Sequence, residues 1–208
     1  MARHGPASAG GPPELPDLVV IGCSRGGLAA LTEVLGALPA SFPAAVLVVQ
    51  HLAPGFESRL AEILDKRTLM QVKPARRGVK VEAGVVYVAP ADQHLTLNRF
   101  GRIQLDRTAK VNFSRPAVDP LFRSAATHFG ARATAVLLSG FGRDGAAGAS
   151  AIYESGGVVI VESEASARDF GMPSAAIATG AVQRVMSAHE ISSYLQQMIR
   201  GNERNANG

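Results

Sequence analysis

Cysteine, tryptophan and long apolar runs are what this chain has least of. Cys23 is its single cysteine, so no internal disulfide forms, and no cysteines or histidines gather at the spacing of a structural zinc site. Tryptophan is absent and aromatics make up only 5% of the residues, which leaves base-stacking platforms poorly supplied. Lys and Arg outnumber Asp and Glu for a formal +4, yet they are scattered rather than blocked, so a mildly basic surface and no nucleic-acid binding are expected. No stretch approaches the roughly 20 unbroken apolar residues of a membrane span. Residues 1–16 lack the apolar centre of a secretion signal, so a cytoplasmic protein without membrane insertion is predicted. What is present, 208 residues at 47% hydrophobic and 18% charged, suits one globular domain.

The Pro-, Gly- and Ala-rich residues 1–16 read as a flexible tail, residues 17–200 as the folded unit and 201–208 as a frayed end. LVVIG from Leu18 is a buried strand, followed by a glycine-containing turn and a helical pattern that ends before Pro39. AAVLVVQ repeats the strand, and FESRLAEILDKRT the helix. Between Val72 and Arg107 the pattern changes to short extended runs with a β-pair about Arg99-Phe100-Gly101, read as an antiparallel insertion. The alternation then resumes: DPLFRSAATHFG helical, ATAVLLSG a strand, DGAAGASAIYESG a helix, VVIVES a strand, then a short helix carrying Pro173 and a terminal helix. This predicts an α/β fold, a doubly wound and mainly parallel sheet with a small antiparallel insertion. Ligand sites of such sheets lie beyond the carboxyl ends of the strands.

Three residues with useful chemistry fall at those ends. Gly22-Cys23-Ser24-Arg25-Gly26 has the G-x-S-x-G spacing, in which small neighbours let a serine stand on a strand-to-helix turn beside free helix N–H groups. A serine hydroxyl needs a base at neutral pH, and a neutral imidazole suits that task. Of the five histidines only His51 ends a strand. His4 lies in the tail, His94 in the inserted β-region, and His128 and His189 in helix patterns. The imidazole in turn needs an acceptor, and Asp144 follows the strand ATAVLLSG within a glycine-rich turn. Each residue also has a plainer reading: Ser24 as a helix cap, His51 as a loop histidine packed on Pro54, Asp144 as an N-cap. The order Ser24, His51, Asp144 differs from the Ser, acid, His order of general α/β-hydrolases. The first turn is not G-x-G-x-x-G and the second strand ends without an acidic residue, which argues against dinucleotide binding.

Several separated motifs, IGCSRGG, QHLAPGF, VYVAPADQHL, SRPAVDPLF, LLSGFGRDGAAG and FGMPSAAIATGAV, resemble in order the catalytic domain of the CheB family, the chemotaxis protein-glutamate methylesterases. By that resemblance residues 17–200 are a methylesterase catalytic domain, with Ser24 the nucleophile, His51 the general base and Asp144 the orienting acid. The implied activity is hydrolysis of glutamyl methyl esters on the cytoplasmic helices of methylated chemoreceptors, with deamidation of receptor glutamines in some members. No cofactor and no metal are implied. Arg25, Gly26, Phe141 and Gly142 would lie near the substrate, with backbone N–H groups near Gly26 and Phe141 as candidates for an oxyanion hole.

Two departures stand out. Arg25 occupies a position where family members commonly carry threonine, and Phe141 one where methionine is common. Members usually have a receiver domain ahead of a linker. Here only the short tail precedes the first strand, so either a separately controlled enzyme or a fragment of a longer protein is expected. A receptor-binding module that has lost its chemistry and an esterase for small molecules stay open as alternatives. Oligomeric state is not legible.

Overall fold

The computed structural model describes residues 17–24, 26–51 and 59–206. The expected tail of residues 1–16, Arg25 and the Pro54 contact of His51 lie outside the described residues.

Among the described residues nine strands and six α-helices follow one another as β1 (Asp17–Cys23), α1 (Gly27–Gly36), β2 (Ala44–Gln50), α2 (Leu60–Asp65), β3 (Gln71–Pro74), β4 (Val85–Val88), β5 (His94–Leu97), β6 (Ile103–Asp106), α3 (Val118–Phe129), β7 (Ala133–Leu137), α4 (Ala146–Glu154), β8 (Val158–Glu162), α5 (Gly171–Ile177), β9 (Arg184–Met186) and α6 (Ala188–Ala206). Seven strands form one parallel sheet in the order β3-β4-β2-β1-β7-β8-β9, and β5 and β6 make a separate antiparallel pair. The fold class is therefore as expected.

The central strands are apolar throughout because both faces of the sheet are covered. Along β1, Leu18 and Val20 face a layer that includes Leu121, Phe122 and Ile152, from α3 and α4. Val19, Ile21 and Cys23 face the opposite layer, where Leu31 and Val34 of α1 and Ile191 and Leu195 of α6 pack. Each such side chain, fully buried, contributes about 1.5–3 kcal/mol. The sheet is thus rigid where the site is built.

Three boundaries differ from the sequence reading. The middle stretch is not antiparallel throughout: β3 and β4 join the main sheet in parallel, and only β5 and β6 form the antiparallel insertion. Runs of four residues carry no period that separates the two pairings. The edge strand β9 was not expected, since Arg184 and Val185 are exposed and only three residues pair. The terminal helix continues past residue 200 to Ala206, as extending a formed helix costs little per residue.

Candidate active site

β1 is the hinge of the architecture, because the chain winds outward to β2 on one side and returns to β7 on the other. Backbone hydrogen bonds continue past the ends of these strands: Leu138 N donates to Gly22 O at 2.9 Å, Ser24 N to Ser139 O at 3.0 Å and His51 N to Cys23 O at 3.0 Å. The loops carrying Ser24, His51 and Asp144 are therefore held at one rim by the same ladder that holds the sheet.

The three side chains meet there. His51 Nδ1 stands 3.1 Å from Ser24 Oγ, and His51 Nε2 stands 2.7 Å from Asp144 Oδ2. A carboxylate only accepts, so Nε2 carries the hydrogen and donates, leaving the Nδ1 lone pair facing the serine hydroxyl. Ser24 is 8% exposed and Asp144 2%. The site is nearly dry, with the imidazole as its solvent-side wall.

Asp144 is the most heavily bonded group of the three. Its Oδ2 also accepts from Val118 N at 2.6 Å, while Oδ1 accepts from Asn112 Nδ2 at 3.0 Å, Asp119 N at 3.1 Å and Gly145 N at 3.0 Å. Burial by itself would push this carboxyl up. The hydrogen bonds from His51, Val118 and Asn112 outweigh it and hold the group below the usual carboxylate range, so it is ionised at neutral pH.

Ser24 does not cap α1 and Asp144 does not cap α4, although Asp144 accepts from the first two N–H groups of α3. The N-cap residues are Gly26 for α1 and Gly145 for α4, both left-handed and neither helix with a side-chain cap bond. Close approach also demands small residues. A β-carbon on Gly140 would lie 2.8 Å from Ser24 Cβ and collide with Met172 Sδ, and one on Gly22 would collide with Val118.

Gly26 lies on the turn after β1, and Phe141 and Gly142 on the loop after β7 that also carries Asp144. Among the described residues none of their backbone N–H groups makes a hydrogen bond, which leaves three donors free at the rim. Phe141 points its ring outward, 77% exposed. The remaining described histidines are elsewhere: His94 is buried between Ala109 O and Ala117 N, His128 ends α3, and His189 opens α6. Cys23, next to the nucleophile candidate, is fully buried, and burial followed by the nearby Glu162 charge pushes its thiol up to about 12. It is inert at neutral pH. Among the described residues no group of three His, Cys, Asp or Glu side chains is placed to hold a metal, and no helix is long and apolar enough to cross a membrane.

Sequence reasoning missed Asn112, Asp119 and Arg168. Asn112 Nδ2 bridges two buried carboxylates, Asp119 Oδ2 at 2.9 Å and Asp144 Oδ1 at 3.0 Å. The only local cue was an asparagine in a turn: Asn112 and Phe113 both have positive φ, 49° and 64°, between the mutually bonded Val111 and Ser114.

A hydroxyl, an imidazole and an ionised carboxylate in hydrogen-bond series at the carboxyl edge of a doubly wound sheet have the arrangement of a serine-hydrolase site. Comparison with known proteins narrows this. The CheB methylesterase family model matches residues 19–195, and the chain belongs to that family. It is 44% identical over 184 residues to the protein-glutamate methylesterase/protein-glutamine glutaminase 2 of Anaeromyxobacter dehalogenans, covering 88% of this chain and 54% of that protein. It is also 44% identical over 185 residues to the protein-glutamate methylesterase/protein-glutamine glutaminase of Salmonella typhimurium, covering 88% and 52%. The crystal structure of the Thermotoga maritima CheB methylesterase catalytic domain superposes with a TM-score of 0.84 at 40% identity, over 88% of this chain and 98% of that one. The chain spans about half the length of the curated relatives it matches.

Proposed function

We propose that this protein is a cytoplasmic serine hydrolase that removes methyl groups from glutamate methyl esters on the helices of chemoreceptors, and that it also deamidates receptor glutamines. The observation that carries the reading is the Ser24–His51–Asp144 series, with contacts of 3.1 and 2.7 Å, in a chain of the CheB methylesterase family.

The geometry suggests a two-stage reaction. Ser24 Oγ attacks the ester carbonyl as its proton passes to His51 Nδ1, and Asp144 stabilises the resulting imidazolium through Nε2–H. Negative charge developing on the carbonyl oxygen meets the unused N–H groups of Gly26, Phe141 and Gly142. One well-placed donor of this kind lowers the barrier by about 2.7–4 kcal/mol. His51 then returns its proton to the departing methoxide, giving methanol and a glutamyl ester of Ser24. Water, deprotonated by His51, attacks that ester and frees the glutamate carboxylate and the serine. With glutamine the same sequence releases ammonia.

The carboxylate also ties down the start of α3, but a binding module has no need of an imidazole strung between it and a serine hydroxyl, so the catalytic reading is favoured. Measuring methanol released from methylated receptor by the wild type and by Ser24→Ala tests it. Release should fall more than about 10⁴-fold in the variant. Equal release by both proteins would remove Ser24 from the mechanism, and rapid turnover of short acyl esters with none of receptor would favour a small-molecule esterase.

A further inference from the structure

Sequence reasoning placed the cation beside the nucleophile at Arg25. The structure places another there, Arg168, from a segment 143 residues further along. A β-carbon built on Gly26 would stand 3.0 Å from Cδ, 3.1 Å from Cβ and 3.2 Å from Cγ of Arg168. The aliphatic stem of Arg168 therefore lies directly over the turn that carries Ser24, two residues from the hydroxyl. Gly26 is required there both by its φ of 87° and by this stem.

The stem is not draped there by a loose loop. The next residue is tied to the rim on three sides: Asp169 N donates to Ser139 Oγ at 2.9 Å, Asp169 O accepts from Gly140 N at 2.9 Å, and Asp169 Oδ1 accepts from Gly171 N at 3.1 Å. Nearby carboxylates are already engaged within the protein. Asp169 is held by Gly171 N–H, and Glu162 accepts from Ser139 N at 2.7 Å and Ser166 Oγ at 3.0 Å. Arg168 itself is exposed and makes no hydrogen bond or ion pair among the described residues. An arginine whose stem is used for packing and whose guanidinium is left open presents a planar fork fitted to an external carboxylate.

We infer that Arg168 is a specificity-determining residue, whose guanidinium, aimed from above the Ser24–Gly26 turn, reads a free carboxylate flanking the scissile ester on an acidic peptide substrate. The inference rests on the methylesterase reading and deepens it: the preferred substrate is an esterified glutamate with an unesterified acidic neighbour within a helical turn. Esters in a neutral context are turned over without this contact.

Two matched helical peptides test it, each with one glutamate methyl ester, with glutamate or glutamine four residues away. Wild type should prefer the acidic peptide by about fivefold in kcat/KM at low salt, the upper range for an exposed charge pair, with the difference in KM. The preference should shrink as ionic strength rises. Arg168→Met keeps the packing over Gly26 but not the charge and should bring the two peptides within about 1.5-fold. Arg168→Lys should keep part of the preference, and Arg168→Glu should reverse it. Equal turnover of both peptides by wild type, or a preference surviving in Arg168→Met, overturns the role of Arg168 alone. No methanol from either peptide with wild type overturns the methylesterase reading and this inference together.

Discussion

Replacing Asp144 by asparagine should damage both chemistry and stability, and the structure says why one exchange does both. All five contacts of this carboxylate come from N–H groups: Asn112, Asp119 and Gly145 on Oδ1, His51 and Val118 on Oδ2. An amide brings two N–H bonds of its own, so either orientation sets donor against donor. Facing the Oδ1 side, it opposes three N–H groups. Facing the Oδ2 side, it opposes Val118 N–H and forces His51 to accept through Nε2, which moves the ring hydrogen to Nδ1. That nitrogen then cannot take the proton of Ser24 Oγ. Methanol release should fall on the order of 10⁴-fold, the cost of a wrong imidazole tautomer in such a series. At least one buried N–H loses its partner, so unfolding free energy at pH 7 should drop by about 1–3 kcal/mol. The pH dependence has a definite sign. Because the folded-state carboxyl lies below its ordinary value, wild type holds its advantage above the unfolded-state carboxylate range and loses it as pH falls through the folded value. Urea unfolding of both proteins at pH 7 and at pH 3 should therefore show the stability gap closing in acid. A variant within tenfold of wild-type activity, or one with an unchanged urea midpoint at pH 7, would refute this account.

Two further substitutions probe the frame around the site. Gly140→Ala places a β-carbon 2.8 Å from Ser24 Cβ and 3.1 Å from Ser24 N. Ser24 must shift, and a displacement near 1 Å should reduce methanol release on the order of 10²-fold, with circular dichroism showing the fold retained. Phe113→Gly should act oppositely on stability: the ring is 98% exposed while its backbone sits at φ 64°, so relief of the left-handed strain should raise unfolding free energy by about 1 kcal/mol, read as a higher urea midpoint. A lower midpoint would show that this turn carries no strain.

What was legible followed from how local each signal is. The strand LVVIG, its glycine turn and the following helix lie within twenty residues, so the pattern that marks Ser24 is local even though the contacts that require small residues there come largely from Val118, Ser139 and Arg168. The same holds for Asp144 in its glycine-rich turn. The pairing of β3 and β4 was not legible, because a short apolar run buried on a sheet looks alike whether its neighbour runs parallel or antiparallel. Asn112 and Arg168 were not legible for a different reason. Their importance lies in partners 32 residues away for Asn112 and on the β1–α1 turn for Arg168, and no period or spacing near either residue reports such a contact.

The geometry of the series is inherited from the sheet more than from the loops. Ser24, His51 and Asp144 follow three neighbouring strands, and the inter-strand bonds Leu138–Gly22, Ser24–Ser139 and His51–Cys23 extend the parallel ladders to within a residue or two of the nucleophile. The imidazole is gripped through Nε2 by a carboxylate whose other bonds come from α3, the Val111–Ser114 turn and Gly145. His51 is thus positioned in part from the α3 side of the sheet, while Ser24 is positioned by β1 and the β7 loop. The His51 N–Cys23 O bond and the contact between Nδ1 and Oγ join the two supports, and at 3.1 Å the latter is the longer of the two side-chain contacts in the series.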